Sequence, residues 1–275
     1  MNRTMGEITK AARPPSNRMI AGRVLAGLLL LLTGIGAVVA LPAGGTEGWP
    51  QETLVEGLPA NNTPHATDGE VRSIAVAGDT VVIGGSFTSA TDPDRTTVVD
   101  QPYLLAFDRN TGVIRRNFLP QLDREVFKVI AAPDGQSVYV GGRFSSVNGV
   151  TSLKVARIRL SDGARLPFQS GIDALVTEMA LQNGRLIIGG VFTSVQGRNR
   201  RVAALDAETG VVDDSFAVEF EGRHRGSQGE GRIAVIEAAP DGQSVLVVGN
   251  FGTAGGLTRN QVAKLHTGGP GPVTV

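Results

Sequence analysis

The chain has 275 residues, with 26 basic and 26 acidic residues that give a formal net charge of zero, and it contains no cysteine. The lack of cysteine excludes disulfides, a lipid anchor on cysteine and a cysteine cluster for zinc. Hydrophobic residues make up 41% of the chain, which is enough to bury one core.

The N-terminal segment has the pattern of an export signal. Five basic residues and one acid precede an apolar stretch over residues 24–41, which is followed by small residues. This order predicts a signal peptide over residues 1–43. The alternative is an uncleaved anchor through residues 24–41, since 18 apolar residues nearly span a bilayer. Both interpretations put the rest of the chain outside the cytoplasm, secreted or extracellular, and allow membrane contact only through this segment.

Residues 44–70 are rich in glycine and proline and are predicted to be a linker. Part of it, near residues 52–59, is similar to the outer strand of the first repeat and could close a ring by strand exchange, which would hide two sheet edges. The alternative is that both ends are loose and the repeats form an open arc. At the other end, residues 268–275 are predicted to be a glycine- and proline-rich tail.

Removal of residues 1–43 changes the charge of the chain. It takes away five basic residues and one acid from 26 of each, which leaves 21 basic and 25 acidic residues and a net charge of −4. An acidic domain is a poor candidate for general nucleic-acid binding, so we expect no nucleic-acid partner.

The chain between residues 71 and 267 is built from repeats. The octapeptide at residues 131–138 reappears unchanged at residues 238–245, and diverged copies occur at residues 76–81 and 180–186. Each copy is followed by an apolar run that ends in small residues and a phenylalanine. These positions are Gly84, Gly85, Phe87, Gly141, Gly142, Phe144, Gly189, Gly190, Phe192, Gly249 and Phe251.

A second signature follows each phenylalanine, an apolar strand that ends in a turn such as Asp-x-x-Thr-Gly at residues 108–112. Each unit thus has four short apolar runs separated by Asp-Gly or Asn-Gly hairpin signals. Four strands per repeat of this length are typical of a propeller blade. The prediction is an all-β fold, a β-propeller of about four four-stranded antiparallel blades, closed or open, after an N-terminal apolar helix. The glycines are expected at close backbone approaches, and the phenylalanines are expected to pack between blades.

The Gly-Gly-x-Phe element, the Asp-x-x-Thr-Gly turn and the final phenylalanine resemble the delta-60 repeat β-propeller family of secreted bacterial proteins. The repeated Pro-Asp-Gly-Gln-Ser-Val is also similar to YVTN and kelch-like propeller repeats. The resemblance covers roughly residues 71–267. It implies a propeller fold and brings no catalytic motif with it.

No catalytic constellation is evident, and no cofactor is expected. Three histidines lie far apart in the sequence, and no zinc-binding or nucleophile-elbow motif occurs. The aspartates at 108 and 206 recur with their turns and are expected to accept backbone N–H bonds. One weak metal candidate is the early loop with Asp92, Asp94 and Asp100, because three oxygen donors in nine residues could hold calcium. The competing interpretation is a solvated loop.

The repeats differ mainly in two connections. We name the strands of a unit A to D from the axis outward. The B–C interval from Phe87 to Leu104 and the D–A interval from Phe216 to Ile233 are each 17 residues, longer than their counterparts. Because successive strands of a unit run in opposite directions, the B–C and D–A loops are expected at the same end of the fold. Insertions that collect at one end often mark a binding face. Basic residues concentrate there, and the candidate binding residues are Arg198, Arg200, Arg201, Arg223, Arg225 and Arg259.

Two functional interpretations remain open. The first is a non-enzymatic binding or scaffold module outside the cytoplasm that uses arginine donors to bind a protein or an anionic envelope polymer. The second is a propeller enzyme that acts on a glycan or another envelope substrate in the central channel. Two or more acids converging near the axis would favour the enzyme.

Overall fold

The computed structural model describes residues 61–224, 231–268 and 274–275. Contacts within the chain divide it into residues 1–55 and 56–275, and all described residues belong to the second part. The regular structure in the described ranges is all β, with 22 short strands in antiparallel sheets of two or three strands. The predicted signal or anchor helix and the proposed closing segment at 52–59 lie outside the described residues.

Four sheets with the same strand order define four repeat units. Unit 1 contains β1 (His65–Ala66), β2 (Val71–Ala77), β3 (Thr80–Gly85), β4 (Ser89–Thr91), β5 (Val98–Asp100) and β6 (Leu104–Asp108). Unit 2 contains β7 (Val126–Ala131), β8 (Ser137–Gly142), β9 (Ser146–Val147), β10 (Val150–Thr151) and β11 (Val155–Arg159). Unit 3 contains β12 (Val176–Gln182), β13 (Arg185–Gly190), β14 (Ser194–Val195), β15 (Arg198–Asn199) and β16 (Val202–Asp206). Unit 4 contains β17 (Phe220–Glu221), β18 (Ile233–Ala238), β19 (Ser244–Gly249), β20 (Thr253–Ala254), β21 (Leu257–Thr258) and β22 (Val262–His266).

Strands A, B and C of each unit form one three-stranded sheet. These sheets are β2-β3-β6, β7-β8-β11, β12-β13-β16 and β18-β19-β22. The hairpin turns between strands A and B follow the predicted chemistry. In unit 3, Asn183 and Gly184 both have positive φ, as the Asn-Gly sequence requires in a two-residue turn.

The predicted fourth strand of each unit is reduced to an isolated bridge. Ile114, Arg165 and Val212 each pair with strand C of their unit through one residue, and Thr274 occupies the comparable place in unit 4. We call the residues in the place of strand D segment D. Segment D begins just after the turn glycine, and a few residues later the chain turns away so that Phe118, Phe168 or Phe216 is buried, which leaves too few residues for a strand. Each blade-like sheet therefore has three strands where four were predicted.

The core is shared between neighbouring units. One cluster joins Val82 and Leu104 of unit 1 to Val126, Val129 and Phe144 of unit 2. A second cluster connects units 2 and 3 in the same way, and a third connects units 3 and 4. Alternate side chains of a strand point to opposite faces, so the sheets of units 2 and 3 each contribute to two of these clusters. The phenylalanines at 144, 192 and 251 are buried in these three clusters, whereas Phe87 is buried in a fourth cluster made of unit 1 residues alone. The prediction was packing between blades, and Phe144, Phe192 and Phe251 lie in clusters shared by two units, whereas Phe87 does not.

The innermost strands pack side by side in chain order, β2 on β7, β7 on β12 and β12 on β18. Within the described residues, no comparable packing joins β18 back to β2. The row of units therefore has two end faces.

Glycines allow the sheets to approach, as predicted. A Cβ atom on Gly84 would lie 2.5 Å from Val126 Cγ1 and 2.8 Å from Val129 Cγ2. One on Gly85 would lie 1.9 Å from the carbonyl oxygen of Glu70, which accepts the Ser86 N–H beside a bulge in β2. The first glycine of the pair therefore makes room for the next unit, and the second makes room for strand A of its own unit.

We expect Gly84→Ala to destabilise the fold by about 1–3 kcal/mol, because a methyl group there overpacks against two stiff valine side chains. Urea denaturation of the purified variant measures this change. Gly252→Ala is the matched control, since its Cβ would meet no atom nearer than 3.6 Å. Equal stability of the two variants would contradict the close-approach explanation.

Candidate functional site

The B–C and D–A connections lie at one end of the units, as strand parity predicts. After its phenylalanine each unit forms a small hairpin, and this hairpin pairs with the segment that precedes strand A. In unit 1, β4 pairs with both β1 and β5, and in unit 4, β20 pairs with both β17 and β21. In units 2 and 3, single bridges from Leu122 to Val147 and from Ile172 to Val195 do the same. The hairpins and entry segments thus build one composite surface.

A recurring aspartate fixes this surface in the first three units. Asp173 accepts hydrogen bonds from the Thr193 N–H (3.0 Å), the Thr193 hydroxyl (2.8 Å) and the Ser194 N–H (3.0 Å). Asp68 and Asp123 make equivalent bonds in units 1 and 2. Burial raises the pKa of Asp173, but the bonds from Ser194 and Thr193 outweigh it, so the pKa lies below its usual 3.8. These carboxylates tie the start of each hairpin to the entry segment.

Unit 4 departs from this arrangement. Glu221 occupies the position of the aspartate, and among the described residues its carboxylate accepts no hydrogen bond. The backbone takes over part of the contact, since the Gly252 N–H donates to the Glu221 carbonyl (2.8 Å). The 17-residue D–A interval continues from here toward β18. Its far end is held by Arg201, whose guanidinium donates to the Gly231 carbonyl (2.7 Å).

A cavity of about 380 Å³ opens where the unit 3 hairpin meets the entry segment of unit 4. Unit 3 contributes Thr193, Asn199, Arg200 and Arg201 to its wall, and the entry segment contributes Val218, Glu219, Phe220, Glu221 and Gly222. Glu219 and Glu221 are exposed and Arg200 is half-buried. The cavity therefore presents both guanidinium donors and carboxylate acceptors.

The six arginines predicted as a binding face have different environments. Arg198 is neutralised by Asp214, with Nη2 2.7 Å from Oδ2 in a two-pronged pair that lowers the pKa of Asp214. Arg201 is engaged with Gly231 as described. Arg223 is exposed in the insertion, and Arg225 lies outside the described residues.

Arg200 and Arg259 differ from Arg198 in that no described carboxylate lies within salt-bridge distance of them. They hold equivalent places in neighbouring hairpins. The Arg200 N–H donates to the Thr193 carbonyl, and the Arg259 N–H donates to the Gly252 carbonyl, each at 2.9 Å. Among the described residues, each guanidinium donates only to the carbonyl of the preceding residue, and the Arg200 Nε is buried without a partner. These two side chains retain donors for a ligand.

The three acids of the candidate metal loop do not converge. Asp92 accepts the Ile114 N–H (2.8 Å) and pairs with Arg116. Asp94 accepts the N–H (3.0 Å) and the hydroxyl (2.9 Å) of Thr96, and Asp100 is exposed in β5. In the described part of the chain, no group of three histidine, aspartate or glutamate side chains is close enough to hold a metal ion. Asp92 instead attaches the long loop to segment D.

The turn aspartates behave as predicted. Asp108 accepts the N–H groups of Asn110 and Thr111, each at 3.0 Å, and Asp206 accepts the Thr209 N–H at 2.8 Å. The pKa of Asp108 is lowered chiefly by the Thr111 N–H, and that of Asp206 chiefly by the Thr209 hydroxyl. Both are structural caps of the turn between strand C and segment D.

A second cavity, of about 530 Å³, lies beside the boundary of units 2 and 3 and includes Arg157 and Glu208 in its wall. Arg157 is nearly buried and bridges Asp134 of its own unit (2.8 Å) to Glu208 of the next (2.7 Å). Burial raises the pKa of Asp134, but bonds from Gln136, Ser137 and Arg157 outweigh it and lower the pKa to about 2. The Arg157 Nε also donates to the Ser137 hydroxyl (2.9 Å), so each guanidinium nitrogen has a partner and this arginine joins two units.

One position recurs on strand A of all four units, and its occupants form a row, Ser73, Lys128, Glu178 and Val235. Lys128 Nζ lies 2.9 Å from Glu178 Oε2, which joins units 2 and 3 by an ion pair. The Ser73 hydroxyl oxygen accepts the Val129 N–H at 2.9 Å. Among the described residues of this row there is a single acid, and a lysine pairs with it.

Sequence reasoning missed the aspartates at 68, 123 and 173. Their signal is present, because each stands three residues before the first valine of strand A. The bonded serine or threonine residues follow 20–23 positions later. The pattern is hidden by the length of the separation and by its loss in unit 4. The pairing of Arg198 with Asp214 was likewise not visible, since the two lie in different elements.

Comparison with known proteins supports the fold. The sequence pattern of a β-propeller domain of unknown function, DUF5122, matches residues 132–165. Together with the all-β repeat units, this match identifies the chain as a protein with β-propeller-type repeats. Among curated proteins, none matches the chain.

Three solved structures are similar at low identity. They are the computationally designed Ika4 protein (15% identity, TM-score 0.42, 73% of this chain and 92% of that chain), the extracellular domain of BT4673 from B. thetaiotaomicron (17%, 0.39, 66% and 20%) and the computationally designed Ika8 protein (15%, 0.41, 72% and 51%). The chain thus spans a fifth of the length of the BT4673 structure. The assignment of the repeats does not depend on these three similarities.

Across residues 61–224, 231–268 and 274–275 there is no helix long and apolar enough to cross a bilayer.

We expect Asp173→Asn to cost about 1–2 kcal/mol near neutral pH, because hydrogen bonds to a charged acceptor are stronger than those to an amide. The folded-state pKa lies below the unfolded value of 3.8, so this stabilisation is present above pH 4 and is lost as the pH falls through the folded pKa. Urea denaturation of wild type and variant at a series of pH values should show the difference shrinking in acid.

Glu221→Gln is the matched control, since it removes the charge at the equivalent position of unit 4, where no described residue makes such bonds. Its stability should follow wild type at every pH. A pH-independent loss in Asp173→Asn would show that the carboxylate charge is not the stabilising feature.

Proposed function

We propose that this chain is a non-enzymatic binding or scaffold module outside the cytoplasm, in which four blades of an incomplete β-propeller present the hairpin end to an anionic partner. The observation that carries this proposal is the pair Arg200 and Arg259, two guanidinium groups at equivalent places in adjacent hairpins, neither of which forms an ion pair with a described carboxylate. Arginine's planar donors suit carboxylate and phosphate groups. The export-signal pattern of residues 1–43 supports secretion, and the delta-60 resemblance of the repeats supports the same placement.

The cavity at Arg200 restricts the chemistry of the ligand. Glu219 and Glu221 repel a second negative charge inside it, and their carboxylates accept hydrogen bonds from hydroxyl groups. A ligand that can bind both the Arg200 guanidinium and the two glutamate carboxylates carries an acidic group beside several hydroxyl groups. An acidic envelope polysaccharide has this composition, and we therefore favour it over a plain polyanion. A protein partner with acidic and serine-rich surface is the second candidate.

The rival function is an enzyme with its site in the central channel, acting on a glycan or another envelope substrate. That function requires at least two acids to converge near the axis. The innermost row contributes Glu178, which is paired with Lys128. No observation favours the enzyme over the binding module, so the hairpin end remains the proposed site.

We expect the double substitution Arg200→Ala and Arg259→Ala to weaken binding of an acidic polysaccharide such as polygalacturonate by roughly tenfold or more, because charge-assisted bonds of this kind contribute about 1.5–3 kcal/mol. Fluorescence anisotropy with labelled oligosaccharide measures it. Wild-type affinity should fall as salt rises from about 0.1 to 0.5 M, where the Debye length shortens to a few ångströms.

The paired substitution Arg198→Ala and Asp214→Ala is the matched control, because it removes a guanidinium together with the carboxylate that neutralises it and leaves the net charge beside Arg200 unchanged. It should bind as wild type does. Unchanged urea denaturation curves establish that all variants fold. If the folded variant that lacks Arg200 and Arg259 binds as tightly as this control, the hairpin arginines are not the site.

A further inference from the structure

Segment D of unit 2 is shorter than its counterparts. The stretch from the residue that bridges to strand C as far as the buried phenylalanine covers residues 114–118 in unit 1 and 212–216 in unit 3, but only 165–168 in unit 2. The whole of the short stretch lies in the wall of the cavity of about 530 Å³ beside the boundary of units 2 and 3. Glu208 and Thr209, from the C–D turn of unit 3, belong to the same wall. The cavity therefore coincides with a departure of unit 2 from the repeat.

The residues inside the short stretch also differ in chemistry. Units 1 and 3 have polar residues there, at 115–117 and 213–215, and several of these form hydrogen bonds. Unit 2 has Leu166, which is half-buried, and Pro167, which is exposed. Together with Phe168 they make this part of the wall apolar. A concave, largely apolar wall with a few polar groups is typical of small-molecule sites.

A charged residue stands at the bridge position of unit 2. Ile114 and Val212 fill this position in units 1 and 3 and are buried, whereas Arg165 is half-buried and lines the cavity. The Arg165 Nε donates to the hydroxyl of buried Ser152 (2.6 Å), and Nη2 lies 3.5 Å from the Phe168 carbonyl, at the limit of a hydrogen bond. No described carboxylate forms an ion pair with this guanidinium. It is therefore anchored at Nε and retains N–H groups for a ligand.

The other charged side chains of the described wall are already paired. Arg157 forms an ion pair with Glu208 (2.7 Å), and its other two guanidinium nitrogens have partners as well. The Thr209 hydroxyl donates to Asp206 (2.7 Å). Arg165 is thus the charged group of this wall that lacks a counter-ion. The planar donors of a guanidinium fit a carboxylate, and partial exclusion of water strengthens their interaction.

We propose that this cavity binds a small molecule in which one carboxylate is attached to an apolar body. The carboxylate accepts hydrogen bonds from the remaining N–H groups of Arg165, and the apolar body packs on Leu166, Pro167 and Phe168. A single negative charge is favoured, because Glu208 in the same wall repels a second one. The volume of about 530 Å³ lies within the range of roughly 300–1,000 Å³ that is typical of small-molecule sites. The site shares no described wall residue with the cavity at Arg200, and the inference does not depend on the ligand proposed there.

Isothermal titration calorimetry of the full chain with two probes of the same shape tests the assignment. Naphthylacetate has the carboxylate, and naphthylacetamide is its neutral counterpart. The acid should bind roughly tenfold more tightly than the amide, because hydrogen bonds to a charged acceptor are stronger than those to a neutral one. Equal affinity for the two probes, or no measurable binding of the acid, would overturn the inference.

Arg165→Gln should reduce the affinity for the acid to that for the amide, while the amide binds as it does to wild type. Arg109→Gln is the matched control, because it removes one positive charge from an exposed turn of unit 1 outside the cavity wall. It should bind both probes as wild type does. A preference for the acid that persists in Arg165→Gln would contradict the assignment.

Pro167→Glu tests the same charge without disturbing the bond between Arg165 and Ser152. Pro167 is exposed, so the variant should fold. The new carboxylate should repel the acid and reduce the preference for it by roughly threefold or more, whereas Pro167→Gln, the neutral control, should keep the preference. Equal preferences in these two variants, with wild-type urea denaturation curves, would show that the acid binds elsewhere.

The variant that lacks Arg200 and Arg259 separates this site from the hairpin end. It should bind both probes as wild type does, whatever its affinity for polygalacturonate. Loss of acid binding in that variant would place the acid at the hairpin end and overturn the inference.

Discussion

The contact between a glycine of one sheet and an aliphatic pair of the next determines how this protein is assembled. It sets the spacing between sheets, and that spacing lets alternate side chains of two neighbouring units share one core. The polar bridges depend on it as well. Arg157 reaches Glu208, and Lys128 reaches Glu178, because the sheets are already close. In unit 4, Val248 stands in place of this glycine.

The hairpin surface depends on a different interaction, the carboxylate that accepts two N–H groups of the following hairpin. Backbone donors at a loop end need a partner when water is partly excluded, and an aspartate supplies it at low entropic cost. Units 1–3 use this device, whereas unit 4 has a longer side chain at the position and an insertion after it. The same substitution leaves the Glu221 carboxylate in the wall of the cavity instead of in a structural bond. Loss of one repeated constraint and appearance of a candidate binding feature thus occur at a single residue.

Much of the fold was readable from the sequence because its signals are local. Asn183-Gly184 and the Asp-x-x-Thr-Gly turns specify their own conformation, and the glycine pairs recur beside the phenylalanines. The fourth strand was wrong, because an apolar run indicates a buried segment without showing how many residues form ladder bonds. The site was only partly accessible. Arginine clustering located the right loops, but the sequence could not show that Asp214 neutralises Arg198 while Arg200 lacks such a partner, since such pairings depend on tertiary packing.

The cavity at Arg200 spans the boundary between units 3 and 4, and this position couples occupancy to local unfolding. Half of its wall belongs to the unit 3 hairpin and half to the segment that leads into unit 4. Any molecule that fills it contacts both halves and so binds only the state in which the two units are docked. By mass action, it must then suppress fraying of unit 4 from the end of the row. Unit 4, which among the described units packs against unit 3 alone, would be the part of the chain whose hydrogen exchange slows most when the cavity is filled.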